Sequence, residues 1–235
     1  MVTNNLNNYI FAFMRNNLSF KAIALAAMLL CCLNATAQTN FEGTVEYGVQ
    51  VEAKDLSPEM QSMMPREFTI YLKDPHTRLE IQTAMSEIIV LGDNEKNSAV
   101  TLMSILGNKM AVKTDSAQVN EALEQLGAYE IRYIDEKKEI LGYDCRKALI
   151  IREASSDTSE LWYTKELLPV YVPGNQFLPK GDWFPMQVHS KQNGVNTTIT
   201  VQSIDQGPLE ESLFEIPEGY KMIEQDAVRQ ALMGL

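Results

Sequence analysis

The sequence predicts a mainly β domain: one antiparallel sheet that curls into a barrel or half-barrel, with two or three short helices. Three observations lead there. Apolar and polar residues alternate with period two in about ten or eleven short segments. Clusters of Gly, Asn, Asp, Ser and Pro separate those segments at turn spacing. Only two or three stretches carry apolar residues at helical spacing instead, and an antiparallel sheet curled toward a barrel accommodates that mixture best.

The N-terminus stands apart from the fold. Arg15 and Lys21 precede the apolar run Ala22–Leu33, and Ala35-Thr36-Ala37 has the small-x-small spacing of a cleavage site. This reads as a secretory signal over residues 1–37, with Met1 and Met14 both candidate starts and the mature chain beginning at Gln38. The run is short of the roughly 18 apolar residues that a membrane anchor needs. A lipoprotein signal acylated at Cys31 or Cys32 fits less well, because Leu30 and Cys31, the residues preceding them, are not small. The expected destination is the periplasm, with an outer-membrane lipoprotein as the weaker reading.

Removing residues 1–37 leaves 198 residues, enough for one domain with a sizeable core. It also takes two positive charges from a chain of net charge −11, leaving −13. An acidic body without a compensating Lys/Arg cluster repels nucleic acid at long range, so no nucleic-acid partner is expected. Cys145 is the one cysteine left, which excludes an internal disulfide, and its place in an apolar strand reads as a buried thiol.

In chain order, Val45, Tyr47, Val49 and Val51 alternate along an opening strand from Phe41 to Ala53. From Lys54 to Glu67 the alternation breaks: Ser57 can cap, Pro58 suits a first helical position, and Met60, Met63 and Met64 recur at helical spacing. Phe68, Ile70 and Leu72 resume a strand, Asp74-Pro75-His76-Thr77 turns it, and Leu79 and Ile81 return. Glu87–Leu91, Ala99–Ile105 and Met110–Val112 continue a meander. Between Asp115 and Gly127 a helix is expected, with Val119, Ala122, Leu123 and Leu126 on one side.

Ile131 and Tyr133 begin a strand expected to turn at Asp135–Glu139 and enter a central hairpin, Ile140–Ile151 paired with Glu160–Lys165. On its first arm Tyr143, Cys145, Lys147, Leu149 and Ile151 share a face read as mostly apolar. The Pro- and Gly-rich stretch after Lys165 holds Tyr171, Phe177, Trp183 and Phe184 and reads as a long ordered connection. Met186–Ser190 and Asn196–Ser203 are the last strands, joined at Gln192-Asn193-Gly194. Leu209, Leu213 and Phe214 pack a tail. The domain is bounded at 38–222, and residues 223–235 read as an amphipathic C-terminal helix.

Catalytic signatures are sparse. His76 and His189 are the two histidines, and no His-x-His, Glu-x-x-His, Cys-x-x-Cys or Gly-x-Ser-x-Gly occurs, so neither an enzyme, a metal site nor a cofactor is expected. Methionine is abundant instead. Flexible thioethers adapt to irregular apolar partners, so a Met-bearing helix over a curved sheet can line an acyl-chain cavity as well as fill a core.

The segments Ile140-Leu-Gly-Tyr-Asp-Cys-Arg-Lys147, Leu161-Trp-Tyr-Thr-Lys-Glu-Leu167 and Leu213-Phe-Glu-Ile-Pro-Glu-Gly-Tyr220 resemble a family of secreted bacterial domains. That family is similar to the periplasmic lipoprotein carriers LolA and LolB and to outer-membrane lipoprotein-sorting proteins. The resemblance covers about Phe41 to Tyr220 and implies a LolA-like half-barrel: a single, open, strongly curved antiparallel sheet with short helices over its concave face, enclosing an apolar cavity. It also implies an arginine that holds a closed state, for which Arg66, Arg78, Arg132, Arg146 and Arg152 are candidates.

The function expected is non-enzymatic binding of a lipid, acyl chain or acylated protein in the concavity. The candidate lining is Met60, Met63 and Met64 with Phe68, Ile70, Leu79, Ile81 and Trp162. The alternative is an envelope assembly module, with an outer-membrane or envelope protein as partner, a self-filled core and an exposed aromatic patch around Tyr171, Phe177, Trp183 and Phe184.

Overall fold

Twelve strands form one antiparallel sheet in the order β12-β6-β5-β4-β3-β2-β1-β11-β10-β9-β8-β7, broken only by a parallel β12·β6 pair at one edge. The structure, a computed structural model, describes residues 41–53, 57, 63–125, 127–152, 157–167, 169–173, 180–192 and 194–224. The leader over 1–37 with Cys31 and Cys32, Met60, Phe177 and the segment after 224 lie outside the described residues.

The strands are β1 Glu42–Ala53, β2 Glu67–Lys73, β3 His76–Gln82, β4 Ser86–Asp93, β5 Ser98–Ile105, β6 Asn108–Thr114, β7 Tyr129–Ile140, β8 Tyr143–Arg152, β9 Thr158–Thr164, β10 Phe184–Gln192, β11 Val195–Gln206 and β12 Lys221–Ile223. Two meanders, β1–β6 and β7–β11, are joined where β1 pairs with β11. The helix expected after Asp115 is α1, Ser116–Gln125, with Val119 fully buried. Asp115 caps it reciprocally with Gln118: the Gln118 N–H donates to Asp115 Oδ1 at 2.9 Å, and the Asp115 N–H donates to Gln118 Oε1 at 3.0 Å.

Curvature follows from connectivity. From β6 to β7 the sheet has ten gaps between strands, about 48 Å if flat at 4.8 Å each. The link between those strands, with α1 inside it, reaches at most about 35 Å. A flat sheet is excluded, and the sheet curls into a half-barrel without closing.

The main core gathers Val45, Tyr47, Ile70 and Leu72 from β1 and β2 with Cys145, Phe184, Met186 and Val201 from the other meander. The connection after β9 completes it with Leu167 and Val172, 8% and 2% exposed. Tyr47 donates its phenol to the Pro185 carbonyl at 3.0 Å, and burial pushes that phenol's pKa up. A second core joins Ala148, Ile150, Leu161, Tyr163 and Val188 to Trp183. On the opposite face of β4–β6, Ile89, Leu91, Leu102 and Ala111 form a third, with Tyr220 of the tail packed on it.

The tail is pinned across β1–β3. The Leu209 N–H donates to Glu42 Oε1 at 2.6 Å, the Lys73 ammonium donates to the Leu209 carbonyl at 2.6 Å, and Arg78 donates to the Leu213 carbonyl at 2.7 Å. The Leu209 N–H holds the Glu42 carboxyl below its ordinary range. A 3-10 turn, Glu211–Phe214, carries the Leu213 anchor.

Three expectations are corrected. Asp135–Glu139 is not a turn but part of β7, with a bulge between Ile134 and Lys137; the turn is Leu141-Gly142, where both residues take positive φ. On β8 the buried residues above Cys145 are Ala148 and Ile150, while Leu149 and Ile151 are only half-buried. On the face read as mostly apolar, Tyr143 and Cys145 pack with the main core, whereas Lys147 meets the Glu136 and Glu160 carboxylates. Ile223, where a helix was expected to begin, instead ends β12, pairing with Val112 of β6.

Cys145 is 1% exposed, and its thiol donates to the Tyr143 carbonyl at 3.4 Å. Burial pushes its pKa above the ordinary thiol value, which lowers the thiolate fraction that reacts. Ellman's reagent at pH 8 is expected to label the native chain less than about one tenth as fast as the urea-unfolded chain. Equal rates would show the thiol to be accessible.

Candidate functional site

Cross-strand register, rather than any single strand, builds the most distinctive surface. Phe68 on β2 faces Ile81 on β3, Ile81 faces Ile88 on β4, Ile88 faces Met103 on β5, and Met103 faces Met110 on β6. Directly paired residues share a face, and no bulge interrupts these ladders, so five apolar side chains form one line about 19 Å long. All five are half-buried. The adjacent row on the same face, Ile70, Leu79, Val90, Thr101 and Val112, runs toward the core, with Ile70 and Val112 buried.

The line lies at the end of the sheet where three further features expose apolar groups. Met63 precedes β2, Met85 tips the β3–β4 turn, and Ile105 with Leu106 tips the β5–β6 turn. They are 54%, 49%, 40% and 76% exposed. Leu106 and Gly107 take φ of 49° and 84°, the geometry of a tight hairpin turn that favours Asn-Gly. Leucine there accepts an unfavourable backbone conformation and gains no burial, so folding alone does not account for it.

The structure brings together part of the lining read from the sequence. Phe68 and Ile81 belong to the line, and Phe68 also stacks on Tyr47 with centroids 4.8 Å apart. Met63 is on the lip and Met64 is half-buried beside it. Ile70 is core, and Leu79 packs against the core. Trp162 sits on β9, four strands from β2 in sheet order, with the Lys138 and Lys147 ammoniums 4.2 and 5.7 Å from its ring centroid. Lys138 also donates to Gln187, and burial pushes its pKa down. Ile88, Met103 and Met110 escaped sequence reasoning. Their strands were recognised, and pairing them through the short turns at 83–85 and 106–107 would have aligned them.

The middle of the concavity is occupied by the chain itself, through Leu167 and Val172. Among the described residues of the aromatic patch set out for the alternative, Trp183 and Phe184 are 3% and 0% exposed, and Tyr171 is half-buried, donating its phenol to Asn97 at 3.2 Å. The rings of Phe184 and Trp183 instead close the two cores, as a connection packed by its aromatics requires.

At the opposite end of β2 and β3, a cleft of about 250 Å³ opens between the Asp74–His76 turn, Asn94, Phe41 and Tyr171. His76 lines it, its ring 6.0 Å from that of Phe214. His189 is exposed on β10, with Nδ1 2.9 Å from the Thr198 hydroxyl. Among the described residues, no three His, Cys, Asp or Glu side chains are grouped to hold a metal ion, and no helix is long and apolar enough to cross a membrane.

Among solved structures the chain is similar to PNGF-II. In its P21 crystal form the TM-score is 0.51 at 16% identity, covering 81% of this chain and 33% of that one. In its C2 form the TM-score is 0.45, again at 16% identity, covering 81% and 32%. LprF from Mycobacterium bovis gives 0.34 at 11% identity, covering 72% of this chain and 88% of that one. This chain therefore spans about a third of the length of PNGF-II, and at such identity the likeness shows the fold alone. No curated protein matches the chain. Residues 51–172, just over half of the chain, match the family described as "Domain of unknown function (DUF4412)", and the chain belongs to that family.

Proposed function

We propose that this chain is a non-enzymatic binding protein, exported to the periplasm, that holds a lipid, an acyl chain or another elongated apolar ligand. The ligand lies along the Phe68–Met110 line and enters over the lip made by Met63, Met85, Ile105 and Leu106. One observation carries the reading: five half-buried apolar side chains stand in register across five strands, outside a row that already supplies the core. Two of the five are methionines, whose thioethers adapt to an irregular chain.

Apolar burial is worth about 25 cal/mol per Å², so covering about 200 Å² contributes roughly 5 kcal/mol before association costs. The motif resemblance to the LolA and LolB carriers and the leader sequence support the same reading. The occupied middle of the concavity narrows it, since the ligand is confined to one end of the half-barrel. The alternative, an assembly module, draws on that same self-filled core; in it, the apolar end is covered by another envelope protein.

Native mass spectrometry with lipid extraction, on the chain purified from the periplasm, tests the proposal together with uptake of a fluorescent fatty-acid probe. Met103→Asp and Ile88→Asp are expected to weaken uptake at least about tenfold, because each places a charge under the bound chain. Circular dichroism should stay unchanged, as both sites are half-buried. A clean apo mass with no probe uptake by the unaltered chain would sink the carrier reading.

A further inference from the structure

The long edge of the sheet is built differently along its length. β7 is the last strand in sheet order and pairs on one side only, with β8, so every second residue turns its N–H and C=O outward from the sheet. A bulge between Ile134 and Lys137 divides the strand. From the bulge onward, Asp135, Glu136, Lys137 and Glu139 are exposed charges of the kind that discourages edge pairing. Before it, Tyr129-Glu-Ile-Arg-Tyr-Ile134 is regular, and Tyr129, Ile131 and Tyr133 form an apolar row on one face.

That row carries the second core out to the edge and leaves it open. Ile131 pairs with Ile150 and Tyr133 with Ala148, both members of that core, and Ile131 packs against it. The Tyr133 ring stands edge-to-face with Tyr163, centroids 6.2 Å apart, and Tyr163 is 6.0 Å from Trp183. Tyr129 and Tyr133 are nonetheless 42% and 62% exposed. An edge that only had to face water would be blunted by charge, and this half instead sets two aromatic rings beside outward backbone groups.

The charges on the opposite face indicate what fits. The Glu130 and Arg132 side chains are 52% and 55% exposed, with Arg132 Nη2 3.0 Å from Glu130 Oε1. An antiparallel second copy centred on Ile131 places Ile131 opposite its own counterpart, Tyr129 opposite Tyr133 and Glu130 opposite Arg132, and two-fold symmetry makes the last two contacts twice. The ion pair within each strand is kept, not broken. Two carboxylates and two guanidiniums alternate around a square, with like charges only on its diagonals. Centring the pairing one residue earlier would set Glu130 against Glu130, and one residue later Arg132 against Arg132. An unrelated strand could satisfy the backbone, but this sequence read in reverse supplies both the rings and the opposite charges.

We propose that the first half of β7 is a homodimer edge, through which two copies of the chain pair antiparallel about Ile131 and join their sheets across a two-fold axis. It is independent of the apolar line, since five strands lie between β2 and β7 in sheet order. About five residues of each copy are paired, less than a standard interface, so a reversible dimer with a Kd of about 10–100 μM is expected.

Sedimentation equilibrium tests this on the chain purified from the periplasm, over concentrations that span that Kd. A monomer–dimer equilibrium is expected. Glu130→Arg and Arg132→Glu should each weaken dimerisation at least about tenfold, because each sets like charges opposite one another twice. The double variant E130R/R132E restores the alternation and should dimerise like the unaltered chain. An equimolar mixture of the two single variants should form a heterodimer, since each copy then meets opposite charge across the strands. Circular dichroism should stay unchanged throughout, as both side chains are more than half exposed. A chain that stays monomeric over the whole range, a dimer indifferent to the single reversals, or single variants that fail to rescue each other would overturn the proposal.

Discussion

Replacing Phe184 with alanine is expected to cost about 3–5 kcal/mol, the usual penalty for emptying a buried phenylalanine site. Phe184 is fully buried, in the same core as Val45 and Leu72 of one meander and Met186 and Val201 of the other, with the Phe41 ring 5.9 Å away. Leu167 and Val172 of the connection pack into the same core, so its neighbours are held on several sides and cannot readily collapse into the space. A domain of this size has about 5–15 kcal/mol of stability in total and shifts by about 2–4 °C in Tm per kcal/mol, so a drop of roughly 6–20 °C follows. Urea unfolding followed by circular dichroism measures it. A loss below about 1 kcal/mol would mean that the connection does not close the core in solution.

The same packing explains which parts of the fold were legible in the sequence. A strand with one dry face, such as β1 with Val45 and Tyr47, leaves a period-two trace that no turn obscures, while β4, apolar on both faces, reads as the continuous run Ile88–Leu91. β7 leaves none from Asp135 to Glu139, because it is an edge strand with charged residues on both faces, exposed apart from Lys138, and such charges also guard an edge against stray pairing. A local reading therefore turns the chain there, and the structure extends it. β12 is three residues long and is defined only by its pairing with β6, more than a hundred residues away. The β1·β11 junction is equally non-local, and nothing in either strand names its partner.

The functional surface divides along the same line. Phe68 and Ile81 were legible as apolar strand positions, and their alignment with Ile88, Met103 and Met110 is a property of hairpin register. Trp162 read as a neighbour of that lining because an aromatic on a strand looks like a wall. It stands four steps away in sheet order with two lysines at its ring, and packs against the same main core as Phe68 and Leu79.

Arg78 is the next most sensitive position, and Arg78→Ala is expected to cost about 2–3 kcal/mol. Its guanidinium is 10% exposed, pairs through Nε with Glu80, and donates from Nη1 to the Leu213 carbonyl at 2.7 Å. Without it that carbonyl loses a charge-assisted partner, and Glu80, one third exposed, keeps only the weaker Tyr71 phenol at 3.3 Å. Glu80 can regain water, which keeps the loss below that of a fully buried pair. The damage should travel along the tail, since Leu213 lies between the Leu209 anchor and Tyr220 on the third core. Hydrogen exchange is therefore expected to accelerate at Met222 and Ile223 of β12 while β8 and β9 stay protected. Arg78→Lys, which keeps the charge but not the two-pronged geometry, should recover only part of the loss. Uniform acceleration across the sheet would instead mean that the tail and the half-barrel unfold as one unit.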